Sequence, residues 1–212
     1  MKNFFGMLIR LLLTIFMIPV ILGLVSGIDV QFANIVLDER RLLTWGIVVY
    51  CLVHIFALDL YRIFEWGQRP LLRIFKGTGT NSAILSCSIP VYPLCVTLLY
   101  FMLDQFTTWN MTRMREVLLF SFSFFYAMHL AQSARLLADG DPIIFKLQYV
   151  SSLGIVIIFS LILMGATLHF INPKFSLKGV CQIAYDSIKG TFSQGFDDMK
   201  TNFRWPIPLK GK

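Results

Sequence analysis

Charged residues are scarce in this 212-residue chain. Asp, Glu, Lys and Arg together make up 15% of it, whereas about a quarter is usual for a soluble globular protein. Cysteine is also sparse, and Cys51, Cys87, Cys95 and Cys181 have neither zinc-finger nor redox-motif spacing. The glycine-rich stretch at residues 77–80 lacks the lysine and the preceding strand of a phosphate-binding loop. These absences argue against a conventional soluble enzyme, a zinc-finger protein and a P-loop nucleotide hydrolase.

Long apolar stretches are what the chain has instead. Apolar residues account for 56% of it, and the mean hydropathy is +0.68. A helix of about 20 apolar residues is long enough to cross the hydrocarbon core of a bilayer. The sequence predicts five such spans, at residues 7–28, 42–64, 82–103, 117–137 and 149–171. The first is longer than the core of a signal peptide, so we expect a retained anchor. We predict an all-α, polytopic transmembrane helix bundle over residues 1–173 and an amphipathic C-terminal tail over residues 174–212.

Basic residues give the chain a formal net charge of +7. They lie at the ends of the apolar segments and in the tail, as expected for groups that meet anionic lipid headgroups, so nucleic-acid binding is not predicted. With five spans, eight basic residues near the span ends fall on the side of the N-terminus and seven on the opposite side. The eight are Lys2, Arg10, Arg62, Arg69, Arg73, Lys76, Arg135 and Lys146; the seven are Arg40, Arg41, Arg113, Arg115, Lys174, Lys178 and Lys189. This near-balance leaves the membrane orientation undecided.

The tail carries an amphipathic helix pattern. Its apolar residues recur at every third or fourth position, with charged residues between them: Val180, Ala184, Ile188, Phe192, Phe196, Met199 and Phe203. The connections between spans are short, so we expect binding or chemistry within the bundle or on this tail. The pattern predicts a helix that either lies on the membrane surface or on a partner, with Phe192, Phe196 and Phe203 as contacts, or packs on its own bundle.

Ionisable side chains at membrane depth are candidate functional groups. One stripe of them, spaced at three or four residues, follows the second span: Asp59, Arg62, Glu65, Arg69, Arg73 and Lys76. Glu65 and Arg69 have the spacing of a helical ion pair. The stripe predicts a binding or proton-relay site or, as we favour, a ladder of snorkelling side chains where the span leaves the bilayer. Gly67 and Pro70 predict a kink or break at this position.

Span four offers a second polar set, His129, Gln132 and Arg135. His129 and Gln132 share a helical face, and the pair predicts interhelical hydrogen bonds more strongly than a metal or haem ligand. Only His54 would match His129 in a bis-histidine haem site.

Span three contains Pro90 and Pro93, which interrupt a helix and free backbone carbonyls. Such interruptions are typical both of binding sites in transporters and of fixed structural kinks. We expect Ser86, Ser88 or neighbouring helices to satisfy the freed carbonyls.

Residues 60–69 read Leu-Tyr-Arg-Ile-Phe-Glu-Trp-Gly-Gln-Arg and continue with Pro-Leu-Leu-Arg-Ile-Phe-Lys-Gly. This segment resembles bacterial membrane zinc metalloproteases of the site-2-protease type, in which an apolar span leads through a Leu-Tyr pair into H-E-x-x-H and on to a glycine. The order of the later features is also similar, with prolines in span three, His129 in span four, Asp141-Pro142 before span five, and a short helical tail.

The sequence departs from this family at the motif itself. Glu65 and Arg69 stand where the two metal-binding histidines would be, and Trp66 stands where the catalytic glutamate would be. Arg69 would repel a metal ion and Trp66 cannot accept a proton, so the zinc chemistry of H-E-x-x-H is lost. The resemblance implies a pseudo-protease in which a Glu65–Arg69 ion pair occupies the space of the zinc. It carries over no catalytic residue, metal ligand or cofactor.

The sequence thus favours a non-catalytic integral subunit of a bacterial inner-membrane complex, which binds a protein partner through its groove and its tail. Two alternatives remain. One is a transporter or channel component, which the interrupted third span would suit. The other is a cofactor-binding membrane subunit of a respiratory-type complex, which would need a haem site.

Overall fold

The structure of the protein is a computed structural model that describes residues 2–56, 60–106, 111–138, 147–172 and 174–202. Every regular element in these ranges is a helix, so the all-α prediction is confirmed. The elements are α1 (Lys2–Ala33), α2 (Leu37–Phe56), α3 (Leu60–Ile74), a 3₁₀ segment (Phe75–Asn81), α4 (Ser82–Cys87), α5 (Val91–Phe106), α6 (Met111–Ala138), α7 (Leu147–Ile171) and α8 (Leu177–Asn202). Asp59, Asp141 and Phe203 lie outside the described residues.

Several helices are long and apolar enough to cross a membrane. Four candidate spans lie at Leu11–Ala33, Ser82–Leu103, Arg113–Ala138 and Tyr149–Ile171, and α2 with the helix after it counts as a fifth if the two form one bent span. The chain is therefore a multi-pass helical membrane protein with four or five candidate spans, as predicted.

The second predicted span, 42–64, is not one straight helix. It is divided between α2 and α3, whose axes differ in direction by 113°. The break predicted near Gly67 and Pro70 does not occur, because α3 continues as a helix through both residues. Burial of Leu60 and Phe64 on one side of α3 anchors this helix to the bundle.

The interruption predicted in the third span is confirmed, since α4 ends at Cys87 and α5 begins at Val91. The Ser88 hydroxyl donates to the Ile84 carbonyl at 2.8 Å, and the Ser86 hydroxyl donates to the Ala83 carbonyl at 3.0 Å. Gln68 of α3 donates from Nε2 to the Ile89 carbonyl at 3.4 Å. Pro90 and Pro93 remove the donors to the Ser86 and Ile89 carbonyls, and these accept instead from the Ile89 N–H, at 3.2 Å, and from Gln68.

The apolar core centres on α6. Its residues Leu118, Leu119 and Phe122 are buried in one cluster with side chains of α1, α2, α7 and α8, including Leu168, and with Phe175 of the turn before α8. A second cluster, built from Tyr50, Leu60 and Met128, lies between α2, α3 and α6.

Helix α8 packs lengthwise on α1 and runs in the opposite direction. Val180 contacts Gly27, Ala184 contacts Gly23, and Phe192 stacks on Phe16 with ring centroids 5.5 Å apart. A Cβ atom at residue 27 would lie only 2.6 Å from the Val180 carbonyl oxygen, and one at residue 23 would lie 2.9 Å from that of Ala184. The glycine pair has the G-x-x-x-G spacing that allows two helix backbones to touch in a membrane. Of the predicted arrangements of the tail, the structure thus has packing on its own bundle.

The turn before α8 is tied to α1. The Gly179 N–H donates to the Ser176 hydroxyl oxygen at 3.1 Å, so Ser176 caps the helix N-terminus. The Ser176 N–H in turn donates to Gln31 Oε1 of α1 at 3.2 Å. The direction in which α8 leaves the turn is therefore set by α1.

Candidate functional site

The predicted Glu65–Arg69 ion pair forms on the outer surface of α3. The charged atoms are 3.5 Å apart, and the two side chains are 41% and 59% exposed. Trp66 between them is 70% exposed. The residue of α3 that faces His129 is instead Phe64, with ring centroids 6.0 Å apart. The ion pair therefore does not occupy an interior space beside His129, and the exposed stripe has the geometry of an interfacial ladder.

His129 links two helices inside the bundle. Its Nε2 lies 3.3 Å from the Ser160 hydroxyl of α7. The exposed fraction is 1% for His129 and 0% for Ser160. The predicted interhelical hydrogen bond is thus present. A serine–histidine pair buried to this degree has no open path to a substrate.

Gln132 and Arg135 contact other helices than His129 does. Gln132 donates from Nε2 to the Tyr50 hydroxyl of α2 at 3.4 Å, and the Arg135 guanidinium lies 4.5 Å from the centre of the Tyr61 ring of α3. The three predicted residues of span four thus join α6 to three different helices. They do not converge on one site.

The two histidines of the suggested haem site have separate surroundings. His54 is exposed and stacks on the Tyr50 ring, whereas His129 is buried against Phe64 and Ser160. Within the described ranges, no group of three His, Cys, Asp or Glu side chains is arranged to hold a metal ion.

At one end of the bundle, a polar junction that sequence reasoning missed connects α2, α6 and the end of α7. Glu39 at the start of α2 forms an ion pair with Arg115 of α6 at 3.0 Å and accepts a hydrogen bond from Asn172 Nδ2 at 2.8 Å. Its side chain is 17% exposed, whereas that of Asp38 beside it is 83% exposed. A cavity of about 350 Å³ adjoins this junction. The only sequence signal was that Glu39 and Arg115 both flank short connections, which does not show that they pair.

The outward face of α8 is mostly polar, and Tyr185 on it is 61% exposed. Its exposed residues include Lys178, Gln182, Asp186, Lys189 and Ser193. Gln182 donates from Nε2 to the Asp186 carboxylate at 3.1 Å. Lys189 has no ion-pair partner among the residues that the structure describes. We call the outward side of α8 that carries these five residues the α8 outer face.

The depth of this face follows from its contacts with α1. Gly23, which touches Ala184, lies next to the midpoint of the candidate span Leu11–Ala33. The stretch from Val180 to Phe192 extends along α1 for about 18 Å at 1.5 Å per residue. Asp186 and Lys189 are therefore level with the middle of the most apolar candidate span.

The aromatic residues predicted to meet a partner are placed differently. Phe192 faces inward and stacks on Phe16 of α1. Phe196 belongs to α8, but its side chain, like all of Phe203, lies outside the described part of the chain. Of the three aromatic residues predicted as contacts, only the side chain of Phe192 is described, and it faces α1, whereas the exposed residues of α8 are mostly polar.

No family model, curated protein or solved structure matches the chain. The resemblance to site-2 proteases therefore stays a prediction.

Proposed function

We propose that the chain is a non-catalytic subunit of a membrane protein complex, and that its protein partner docks on the α8 outer face. The observation that carries the proposal is the depth of Asp186 and Lys189 in the membrane. Both lie beside the midpoint of the α1 span and point away from their own bundle. A lipid-facing surface at this depth would be apolar, as the exposed side of α1 is, with Leu12, Ile15 and Phe16 more than half exposed.

The cost of leaving this face in lipid supports a protein contact. An ionised side chain at the centre of a bilayer costs about 2.5–3.5 kcal/mol on insertion scales, and such residues are found against protein partners or water-filled cavities. The α8 outer face presents two of them, together with Gln182. A partner that supplies opposite charges and hydrogen-bonding groups removes most of this cost.

The non-catalytic part of the proposal rests on the substituted motif. Glu65, Trp66 and Arg69 replace the groups that zinc-dependent hydrolysis needs, and they lie on the outer surface of α3, away from His129. The same resemblance implies a bacterial inner membrane as the location of the complex.

The proposal can be tested by the native mass of the full chain, extracted from its own membranes in a mild detergent. We expect a complex heavier than one chain, which the Asp186→Asn/Lys189→Gln double variant loses. Arg41→Gln is the matched control, because Arg41 is an exposed ion-paired residue at the end of another helix, and it should leave the mass unchanged. A single chain in the wild type, or a complex indifferent to the double variant, would overturn the proposal.

The alternatives give different signals in the same preparation. Specific flux in proteoliposomes that is lost in Glu65→Gln or Arg135→Ala would favour a transporter component. A haem Soret band that is lost in His129→Ala would favour a cofactor-binding subunit.

A further inference from the structure

A cavity of about 370 Å³ lies between α1, α2, α6 and α7. Its lining is apolar apart from two residues, Asp29 of α1 and Tyr126 of α6. The exposed lining residues, Val25, Asp29 and Ile47, belong to α1 and α2, whereas Tyr126 is only 7% exposed. The cavity therefore opens towards lipid between α1 and α2 and has Tyr126 in its depth.

Neither of these two polar groups has a partner in the part of the chain that the structure describes. The Tyr126 hydroxyl is buried and makes no hydrogen bond there. The Asp29 carboxylate forms no ion pair or hydrogen bond with a described residue. Buried hydroxyls and carboxylates at membrane depth are normally paired. Two such groups in one cavity thus point to a bound molecule that supplies the partner for both.

Both groups lie within membrane spans. The polar junction at Glu39 joins the start of α2 to the start of α6, so α1, which ends just before α2, ends on the side where α6 begins. Asp29 comes four residues before the end of the candidate span Leu11–Ala33, a distance of about 6 Å at 1.5 Å per residue. Tyr126 is at the middle of the candidate span Arg113–Ala138. The cavity thus extends from the middle of the bilayer towards the junction.

The two side chains lean towards each other. A helical side chain is inclined towards the N-terminus of its own helix. Asp29 is therefore inclined towards the middle of the bilayer and away from the nearer headgroups, which a snorkelling side chain would have to reach. Tyr126 is inclined towards the end of the bundle where Asp29 lies, because α6 begins there. One molecule in the cavity can thus contact both groups.

The chemistry of the two groups defines the class of this molecule. An ammonium group satisfies both, since it donates hydrogen bonds to the carboxylate and to the phenolic oxygen. The rest of the lining is apolar, so the ammonium group has to be attached to an apolar body, and the volume falls within the range of about 300–1,000 Å³ for small-molecule sites. A zwitterionic lipid headgroup also carries an anion, for which no described lining residue is basic. The cavity therefore suits an amine without an anionic group.

We infer that this cavity is a binding site for an apolar amine dissolved in the bilayer, with Asp29 as its counter-ion and Tyr126 as a second hydrogen-bond acceptor. The amine enters sideways from the lipid through the opening between α1 and α2. The site is separate from the α8 outer face, so a chain without a protein partner would also bind the amine.

Binding of phenylbutylamine to the full chain in phosphatidylcholine nanodiscs tests the site. Phenylbutanol is the uncharged analogue of similar size, and equilibrium dialysis with subtraction of uptake by protein-free nanodiscs gives both affinities. We expect saturable binding of the amine, at least about tenfold tighter than that of the alcohol, because hydrogen bonds between charged groups are the stronger ones. Asp29→Asn removes the counter-ion at unchanged size and should weaken amine binding at least about tenfold. Tyr126→Phe should weaken it about two- to tenfold.

Two further variants control for indirect effects. Asp38→Asn also removes a carboxylate, but Asp38 is 83% exposed and lies outside this cavity, so amine binding should not change. Ala127→Leu narrows the cavity from α6 and should weaken the binding of amine and alcohol alike. Asp29→Asn and Tyr126→Phe remove no polar contact within the described bundle, so their unfolding in detergent should match that of the wild type.

The outcomes separate this inference from the proposed function. No saturable amine binding, equal affinity for amine and alcohol, or amine binding that Asp29→Asn leaves unchanged would overturn the inference. The Asp186→Asn/Lys189→Gln double variant, which tests the proposed function, should bind the amine as the wild type does. Amine binding by a chain that forms no complex would overturn the proposed function alone, whereas a complex without amine binding would overturn the amine site alone.

Discussion

Replacing Gly27 by alanine adds one methyl group where α1 and α8 come closest. The new Cβ would lie 2.6 Å from the Val180 carbonyl oxygen, whereas ordinary contact begins at 3.4 Å. The obstructing atom belongs to the backbone of α8, so no side chain can turn aside and the whole helix must shift. Overpacking of this kind costs about 1–3 kcal/mol. Alanine recovers about 0.5–1 kcal/mol through its higher helix propensity, so we expect a net loss of up to about 2.5 kcal/mol.

Two matched glycines make the prediction a rank order. At Gly23 the added Cβ would be 2.9 Å from the nearest α8 atom, so Gly23→Ala should cost less than Gly27→Ala. Gly190 of α8 has nothing within 4 Å of its added Cβ, and Gly190→Ala should be neutral or stabilising. The rank order thus separates Gly23 and Gly27, which allow the two helix backbones to approach, from Gly190, which lies in open space.

The measurement combines unfolding in detergent with amide hydrogen exchange. Denaturation followed by circular dichroism gives the change in the free energy of unfolding. Hydrogen exchange reports where the structure opens, and in Gly27→Ala we expect lost protection in α8 and at residues 16–27 of α1, with α6 unaffected. Equal stability of the three variants, or the largest loss in Gly190→Ala, would refute the close backbone contact between α1 and α8.

Four further substitutions test other parts of the bundle by the same denaturation assay. Ser160→Ala removes the partner of His129 and should cost about 0.6 kcal/mol, the average for side-chain hydrogen bonds inside membrane proteins; no change would mean that the 3.3 Å contact contributes nothing. Asn172→Ala should cost about 1–2 kcal/mol, because Glu39 loses a donor in a half-buried junction, and Asp38→Ala is its exposed control. Gln68→Leu should cost about 1–2 kcal/mol by leaving the Ile89 carbonyl without its donor, and a stabilised variant would contradict this role. Glu65→Gln should change stability by less than about 0.5 kcal/mol because the ion pair is exposed, and a large loss would show a buried function for the stripe.

The spans could be predicted because hydrophobic length is a local property of the sequence. The predicted range 149–171 coincides with the candidate span Tyr149–Ile171, and 82–103 coincides with Ser82–Leu103. The bend after α2 could not be placed in the same way. Gly67 and Pro70 were the strongest local signals, yet α3 runs through both, with Leu60, Phe64 and Gln68 buried along its length. Tertiary packing overrode a propensity argument at this point.

The polar contacts show the same difference: contacts between residues close in the sequence could be predicted, and contacts between distant residues could not. The Glu65–Arg69 pair was predictable, since residues four apart on a helix always meet. The junction of Glu39, Arg115 and Asn172 joins residues that are far apart in the sequence, and no spacing rule relates them. His129 and Gln132 lie between these cases, because the shared face was evident but Ser160 and Tyr50 as partners were not.

The position of α8 shows where an amphipathic pattern stops being informative. The recurrence of Val180, Ala184 and Phe192 shows that a helix has one apolar face, which must be kept from water. The membrane surface, a partner protein or another helix of the same bundle could each cover it. Gly23 and Gly27 decide between them, because the absence of their side chains lets the α8 backbone approach α1 closely. Once α8 is placed along a transmembrane helix, its other face becomes the informative one. Polar residues that would be unremarkable at a membrane surface are instead level with the middle of a span, and the proposed partner rests on their depth.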